Sequence, residues 1–258
     1  MISLNPHRID YDNHNTPVLF DREIDEFAHA VLADYKPHLL AEPGTVNYMH
    51  FLESYLGATI EFHDIYSDEP DQPILAMTVF SGGKVRVFDR ENECISYVNV
   101  AERTVIIDNA VVKPGKEGFA LFTGLHEGGH ITMHWDAYSL MAGDEPEMGD
   151  GFAPVVCCRR ESIENAVKDR SIRSSAGWRE HHADYFAAAI AMPNATFKPF
   201  VHGILRKNSY YKSSITLGRD MDMDILAEDL IPDAITEVFG VSKRAARIKL
   251  RKTGFVYN

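Results

Sequence analysis

Apolar residues recur every three or four positions in the first part of the chain. Between residues 21 and 36 these positions hold Ile24, Phe27, Ala28, Val31, Leu32 and Tyr35. This period predicts an α-helix with one buried face, with Asp21 as its N-cap and Pro37 at its end. A second helix is predicted from Thr45, with Gly57 as its stop.

From residue 59 the spacing of the apolar residues changes to every second position. Alternating or continuous apolar runs at 59–66, 74–80, 84–89, 95–100 and 104–108 predict short β-strands. The Ser81-Gly82-Gly83 sequence between the second and third runs predicts a hairpin turn. Together these runs predict a small antiparallel sheet, and an exposed strand at its edge could pair with the backbone of an extended peptide.

The helical period returns after Pro114-Gly115. Helices are predicted from about Glu117, across 178–193, and in shorter segments of the C-terminal third. Residues 138–177 hold an acidic loop and a charged segment, which suggests a short helix or an insertion. The pattern therefore predicts an α+β fold, a small antiparallel sheet with packed helices in 1–193, followed by a helical C-terminal region in 194–258.

Composition narrows the class of protein. The chain has 258 residues, an apolar fraction of 45% and a net charge of −12. The negative charge argues against a bulk electrostatic hold on nucleic acid or on an anionic membrane. We expect neither a secretory signal nor a membrane span, because the start is polar and no apolar run approaches about 20 residues.

The three cysteines are Cys94, Cys157 and Cys158. An odd count with two adjacent members is not typical of a disulfide framework, and it suits a reducing cytoplasm. The adjacent pair could be redox-active or metal-binding. Two small buried thiols are the interpretation that the sequence favours.

Candidate chemistry is concentrated in residues 125–135, which read LHEGGHITMHW. His126, Glu127 and His130 follow the order H-E-x-x-H. Residues four apart on a helix lie about 40° apart and about 6 Å apart along the axis, so two imidazoles can hold one metal ion. Glu127 flanks that face and could take a proton from a water that zinc has acidified to a pKa of roughly 7. Peptide hydrolysis follows if a third ligand exists.

The alternative is an ordinary helix whose histidines happen to have this spacing. The context favours the metal, because the preceding apolar residues have helical spacing and would bury the helix. Gly128 and Gly129 each cost up to about 1 kcal/mol against alanine in a helix. Helices tolerate such a pair where another backbone must approach closely.

A third ligand is predicted in the stretch WREHHADYFAAAIAMP, residues 178–193. Glu180 and Asp184 are four apart and share a helix face. We expect Glu180 to be the third ligand and Asp184 to orient one ligand histidine. The alternative is that both are surface charges. At most one of His181 and His182 could point near the metal.

His134 lies one helical turn beyond His130, in line with His126 and His130. It lies about 12 Å along the axis from His126, too far for both to share one ion with His130. We therefore expect it to pack beside the site or to support a ligand.

Three stretches resemble one family, the ImmA/IrrE metallopeptidases. LHEGGHITMH resembles the family signature AHELGHxxLH, and EHHADYFAAAIAMP resembles E-x-x-A-N-x-F-A-x-x-L-L-M-P. ITEVFGVSKRAARIKLRKTGFV is similar to the closing segment, in which a short helix, a G-V-S turn and a basic helix follow one another. The resemblance spans about Phe119 to Val256.

The resemblance implies a zincin-like peptidase domain and a helix-turn-helix-like C-terminal segment. It implies zinc held by His126, His130 and Glu180, with Glu127 as general base. Family members act inside bacterial cells, and several cleave or inactivate a helix-turn-helix transcriptional repressor, often in mobile elements or stress responses. We therefore expect a cytoplasmic zinc endopeptidase that acts on such a repressor.

The chain departs from the family at several points. Gly128 stands where the family has Leu, and Asp184 stands where it has Asn. The gap between His130 and Glu180 is long and carries the cysteine pair. Tyr185 and His181 are candidates for stabilising the oxyanion, by their proximity to Glu180.

A second function stays open, that of a non-cleaving regulatory module that binds a repressor or DNA through a structural or vestigial zinc site. The basic segment 243–252 would permit a nucleic-acid contact. Basic residues near a helix C-terminus also suit the helix dipole, which is the commoner reason for finding them there.

Overall fold

A small mixed sheet with helices packed against it forms the part of the chain that the computed structural model describes, namely residues 4, 9–69, 71–141, 152–153, 155–159 and 174–258. The predicted α+β class is confirmed. The first half holds helix α1 (Asp21–Tyr35), a 3-10 turn (Pro37–Leu40) and helix α2 (Tyr48–His50), which continues as a π-helical turn (Phe51–Tyr55). Six strands belong to the sheet region: β1 (Thr59–His63), β2 (Ile74–Val79), β3 (Gly83–Asp89), β4 (Cys94–Val100), β5 (Thr104–Asp108) and β6 (Val155–Arg159).

The remaining elements are mostly helical. They are α3 (Glu117–Met133), α4 (Trp135–Met141), α5 (Ser175–Ala191), α6 (Asn194–Lys207), α7 (Met221–Ile225, continuing as the π-helical turn Leu226–Leu230), α8 (Ile231–Phe239) and α9 (Lys243–Lys252). Two short strands, β7 (Ile215–Thr216) and β8 (Val256–Tyr257), pair in parallel. No helix in these described ranges is long and apolar enough to cross a membrane.

Helix α1 buries the apolar face that its period predicts, but its N-cap differs from the prediction. Phe20 is the N-cap, and its backbone N–H donates to the Glu23 carboxylate at 2.8 Å. A glutamate three residues after the N-cap can reach back in this way. Asp21 instead lies 2.8 Å from Nε2 of His181 on α5. The second helix likewise begins later than predicted, with Asn47 as its cap.

The sheet has the strand order β1-β5-β2-β6. The prediction of a wholly antiparallel sheet is wrong, because β5 runs parallel to β1 while β2 pairs antiparallel with both β5 and β6. Strand β2 is buried at every position, as expected of a central strand with cover on both faces.

The predicted hairpin at Gly82-Gly83 is also wrong. Strand β3 pairs with β4 rather than with β2, and the turn follows Asp89, whose carboxylate accepts from the N–H groups of Glu91 and Asn92. Gly83 is required by packing rather than by a turn. A Cβ there would lie 2.6 Å from the backbone N of Ala153, so the position serves a close approach of two backbones.

Side chains alternate between the two faces of the sheet. Ala76 and Cys158 are paired across β2 and β6, and both belong to the core that contains the helices. Met77 and its partner Cys157 belong to a second apolar cluster, which contains residues of the β3–β4 hairpin. The side chains of the adjacent Cys157 and Cys158 therefore lie on opposite faces of the sheet.

Helix α3 packs against β2 and most extensively against α5. Nearly every residue of α3 from Ala120 onward is buried. A Cβ at Gly129 would lie 2.9 Å from Cα of Ala183 on α5, and a Cβ at Gly128 would lie 2.9 Å from the ring of Phe51. The prediction that the glycine pair permits a close backbone approach is confirmed at Gly129.

The C-terminal helices pack against the start of α3. Ser242 caps α9 as predicted, and its hydroxyl accepts from the N–H of Ala245 at 3.2 Å. A Cβ at Gly118 would lie 2.5 Å from the backbone N of Ser242. Phe239 and Leu250 share an apolar core with Leu125 of α3. The division into two domains at 193/194 stays a prediction.

Candidate metal centre

Three side chains from two helices converge beside the sheet. Nε2 of His126 and Nε2 of His130, one turn apart on α3, are 3.0 Å from each other. From α5, Glu180 places Oε1 3.3 Å from Nε2 of His130 and Oε2 3.5 Å from Nε2 of His126. Both histidines are fully buried, whereas the Glu180 side chain is 24% exposed. These donor atoms could hold one metal ion.

The spacing of the donors fits a small divalent cation. Two atoms at about 2.0–2.1 Å from a tetrahedral zinc ion lie about 3.3 Å apart, and the three observed distances bracket that value. Oε2 of Glu180 and Oε1 of Glu127 are buried and have no hydrogen-bond partner among the described residues. Leaving such an oxygen unpaired is costly, and a cation held with His126 and His130 would satisfy Oε2 of Glu180.

Glu180 is ionised in this arrangement. Burial alone would raise the pKa of Glu180. The adjacent His130 and His126 outweigh burial, so the pKa of Glu180 lies well below its usual range. The carboxylate therefore presents negative charge to the point where the imidazole nitrogens converge.

Asp184 lies beside the ring of His126. Its Oδ1 lies 2.9 Å from Nδ1 of His126, and both groups are buried. A proton on Nδ1 that is donated to this carboxylate leaves the lone pair on Nε2, which is the atom that faces His130. Asp184 and Glu180, four residues apart on α5, therefore contact opposite nitrogens of the His126 ring.

A chain of buried histidines supports His130. Nδ1 of His130 is 3.1 Å from Nδ1 of His134, and Nε2 of His134 is 3.4 Å from Nδ1 of His182. Burial, reinforced by His130, lowers the pKa of His134 well below its usual range, and burial and then His181 lower the pKa of His182 to about 4. A neutral His134 can accept a proton from Nδ1 of His130, which leaves Nε2 of His130 for a metal.

Glu127 lies beside the donors and is fully buried. The hydroxyl of Thr78 on β2 donates to Oε2 of Glu127 at 2.5 Å, while Oε1 has no partner in the described part of the chain. Burial raises the pKa of Glu127, and the neighbouring His126 and His130 oppose that rise. A raised pKa suits a carboxylate that takes up a proton near neutral pH.

Thr78 was not predicted from the sequence as a site residue. It could have been singled out because it is the only polar residue in the run ILAMTVF, residues 74–80. A hydroxyl in a strand that is buried on both faces needs a partner, and here the partner is Glu127.

Cys158 was also missed as a site residue. Its Sγ, a ring nitrogen of His126 and a carboxylate oxygen of Glu127 all lie within 4.8 Å of one another. The three cysteines form no disulfide, and all three lie in described positions. Cys158 is fully buried as the sequence favours, Cys157 is half-buried and Cys94 is exposed.

The two residues considered for oxyanion stabilisation are engaged elsewhere. The Tyr185 hydroxyl donates to Asp25 at 3.0 Å, and His181 pairs with Asp21, so both contact α1. Tyr138 on α4 lies beside His130, with its ring edge-on to that of His130 at a centroid distance of 6.0 Å. Burial raises the pKa of Tyr138 to about 12, which keeps its hydroxyl protonated.

The basic face of α9 makes ion pairs within the chain. Lys243 pairs with Asp229 and Asp233, and Arg247 and Arg251 pair with Glu228. Arg159 ends β6, whereas Arg160, Glu161, Glu164 and the acidic loop with Asp144, Glu145, Glu147 and Asp150 lie outside the described residues.

No protein-family model matches the chain, and no curated protein matches it at a significant level. The resemblance to the ImmA/IrrE family therefore rests on the three stretches quoted above.

Proposed function

We propose that the chain is a zinc-dependent endopeptidase. The observation that carries the proposal is the convergence of His126, His130 and Glu180 beside a buried Glu127 oxygen that has no partner among the described residues. When bound there, zinc would polarise the peptide carbonyl and lower the pKa of water to roughly 7.

The protein's own groups would then carry the proton. Oε1 of Glu127 accepts a proton from the attacking water as the bond from oxygen to the carbonyl carbon forms. The same carboxyl group later delivers the proton to the leaving amine nitrogen as the C–N bond breaks. Thr78 holds the other oxygen of Glu127, so that Oε1 keeps one orientation. Asp184 and His134 hold the two imidazole rings in place.

Substrate would bind as an extended peptide along β6. This strand is the edge of the four-stranded sheet in the described residues and carries Cys158 next to His126 and Glu127. A peptide that adds to this edge would gain backbone hydrogen bonds and would pass the metal donors. Tyr138, with its protonated hydroxyl, is our candidate for donating a hydrogen bond to the developing oxyanion.

The proposed substrate is a cytoplasmic helix-turn-helix repressor. The support for this partner is the resemblance of the three stretches to ImmA/IrrE peptidases. The ion pairs that occupy Lys243, Arg247 and Arg251 leave less positive charge on α9 for a nucleic acid than its sequence suggests.

One observation favours a second candidate, a non-cleaving regulator with a structural metal. A structural zinc site is closed by four protein ligands, whereas a catalytic one keeps a position open. His126, Glu127 and Cys158 form a second group that could hold a metal, and a metal there would engage the proposed base.

The deciding experiment is to co-express a helix-turn-helix repressor encoded next to the gene with the wild type and with Glu127→Gln. We expect fragments with the wild type and none with Glu127→Gln, because glutamine can hold water but cannot accept its proton. Both proteins should bind equal zinc. Glu117→Gln, exposed at the start of the same helix, is the matched control and should cut normally. If wild type and Glu127→Gln cut alike, Glu127 is not the base. If neither cuts but both relieve repression, the regulator is the correct function.

A further inference from the structure

Arg179 is a buried cation on the helix that carries Glu180. Its side chain is only 4% exposed. Its Nε is buried and has no hydrogen-bond partner among the described residues. None of the ion pairs in that part of the chain includes Arg179. A buried charge without a carboxylate partner is costly, so the presence of this arginine points to a role in the site.

The guanidinium of Arg179 lies over the aromatic ring of Tyr138 on α4. Its Cζ is 4.6 Å from the ring centroid. The electrostatic field of a tyrosine ring attracts a cation at this distance, and more strongly where water is excluded. The contact therefore offsets part of the cost of burying the charge.

Other rings surround Tyr138. Its ring is edge-on to those of His130 and His134, at centroid distances of 6.0 and 6.4 Å, and lies 4.7 Å from the ring of Phe80. We propose that Arg179 is a positioning residue, which completes these contacts and holds Tyr138 so that its hydroxyl donates to the oxyanion. This inference rests on the proposed function, in which Tyr138 stabilises that oxygen.

Arg179 is itself anchored to the arm formed by residues 9–18. Its Nη1 donates to the hydroxyl of Thr16 at 2.7 Å. The N–H of Thr16 donates to the carboxylate of Asp12 at 2.8 Å, and its carbonyl accepts from the N–H of Asp12 at 2.9 Å. A planar guanidinium that is bonded at one nitrogen and stacked on a ring has little freedom to turn. Tyr138 therefore contacts a group of fixed orientation.

Helix α5 serves both parts of the site. Successive residues on a helix lie about 100° apart around its axis. Glu180 accordingly faces the imidazole of His130 while Arg179 faces Tyr138. The third metal donor and the contact to Tyr138 thus have one rigid support.

The benefit of this arrangement is expected in the transition state. When water adds to the peptide carbonyl, the carbonyl oxygen becomes negative, and a donor already aimed at that oxygen stabilises it without reorganisation. A displacement of about 1 Å in such a group can cost about 100-fold in rate. Loss of Arg179 should therefore lower kcat and leave KM unchanged.

The first test is a double-mutant cycle, measured on repressor cleavage by the zinc-loaded full-length protein. We expect Tyr138→Phe to lower kcat about 100-fold and Arg179→Met to lower it about 10-fold or more. In the Tyr138→Phe background, Arg179→Met should cost less than about 3-fold, because Arg179 acts through the hydroxyl. Arg179→Lys keeps the charge and should recover part of the rate.

Arg103→Met is the matched control. Cζ of Arg103 lies 4.5 Å from the ring centroid of Trp135, which is also on α4. The variant therefore removes a similar cation–ring contact from the same helix, and its kcat should equal that of the wild type. Thr16→Val removes only the anchor of the guanidinium and should lower kcat less than Arg179→Met. It supplies the test if Arg179→Met folds poorly.

The second test does not depend on cleavage. NMR of protein with labelled tyrosine rings should show a slowly flipping Tyr138 ring in the wild type and in Arg103→Met, and a rapidly flipping ring in Arg179→Met. Tyr138→Phe identifies the signal. The absorption spectrum of bound Co²⁺ should be the same in all these variants, because none of them changes a metal donor.

Two results would overturn the positioning role and leave the peptidase proposal standing. One is an equal loss of kcat from Arg179→Met with and without Tyr138→Phe, and the other is an unchanged flipping rate of the Tyr138 ring. A wild-type protein that binds zinc but leaves the repressor intact would instead contradict the peptidase proposal, and with it the role of the Tyr138 hydroxyl.

Discussion

The Thr78 hydroxyl donates a 2.5 Å hydrogen bond to the carboxylate of Glu127, 49 residues later in the chain. The bond joins the central strand of the sheet to helix α3, and both residues are buried. It fixes one oxygen of the proposed base and leaves the other for the reaction.

We predict that Thr78→Val lowers the rate of cleavage about 10- to 100-fold while zinc content stays at the wild-type level. A hydrogen bond to a charged group is worth about 1.5–3 kcal/mol, and each 1.4 kcal/mol is a factor of ten in rate. Thr78→Ser keeps the hydroxyl and should recover most of the rate. Equal rates for the valine variant and the wild type would contradict a positioning role.

We predict one zinc per chain, lost with His126→Ala or His130→Ala. Each change removes one of two nitrogens that lie 3.0 Å apart. Metal analysis after dialysis against micromolar zinc at neutral pH measures the stoichiometry. A wild-type protein without zinc under reducing conditions would contradict the site.

We predict that Glu180→Ala lowers zinc affinity at least 100-fold, whereas His181→Ala has little effect. The two residues are adjacent on α5, but Glu180 faces the imidazole nitrogens and His181 contacts Asp21. Competition with a chromophoric chelator measures both affinities. The assignment of the third ligand fails if the two variants bind zinc equally well.

We predict that Asp184→Ala weakens zinc binding about 10- to 100-fold, the usual effect of removing a group that orients a ligand. Asp184→Asn should weaken it less, because the amide oxygen can still accept the proton on Nδ1 of His126. Near-equal losses in the two variants would mean that the charge of Asp184, rather than its hydrogen bond, supports the site.

Lys249 supplies a prediction about stability. Its side chain is buried, with Nζ 5.9 Å from the centroid of the Phe197 ring. Burial lowers the pKa of Lys249 from 10.5 to about 8; Asp25 opposes this shift, and Lys252 and Lys198 add to it. Below pH 8 the lysine is charged in both the folded and the unfolded chain, so the cost of burying the charge is fully present.

We predict that Lys249→Met raises the free energy of unfolding at pH 7, by up to about 3 kcal/mol. Between pH 8 and 10.5 the unfolded wild type holds a proton that the folded chain lacks, so wild-type stability rises with pH relative to the variant. Urea unfolding at pH 7 and pH 10 measures the difference. A gap of the same size at both pH values would contradict the shift.

The local part of the site could be predicted from the sequence. The H-E-x-x-H spacing and the Glu180–Asp184 spacing are properties of single helices, whose period fixes which residues share a face. The structure brings these residues together because Gly129 lets α3 and α5 approach closely.

The non-local part could not be predicted in this way. Thr78 and Cys158 reach the site only through the register of β2 and β6, and the sequence does not show which strands pair. The hairpin prediction failed for the same reason, since a Gly-Gly turn signal does not reveal that β2 is a central strand with partners on both sides.

The contact between Gly129 and Ala183 has a consequence for the choice of cation. Because backbone meets backbone there, the gap between the two helices cannot widen or narrow by a change of rotamer. The spacing between the two helices that carry the imidazoles and the carboxylate is therefore set by main-chain geometry. Calcium requires six to eight oxygen ligands at 2.3–2.6 Å. A cage of rigid width with two nitrogens would exclude that ion by size and ligand number while accepting a smaller transition metal.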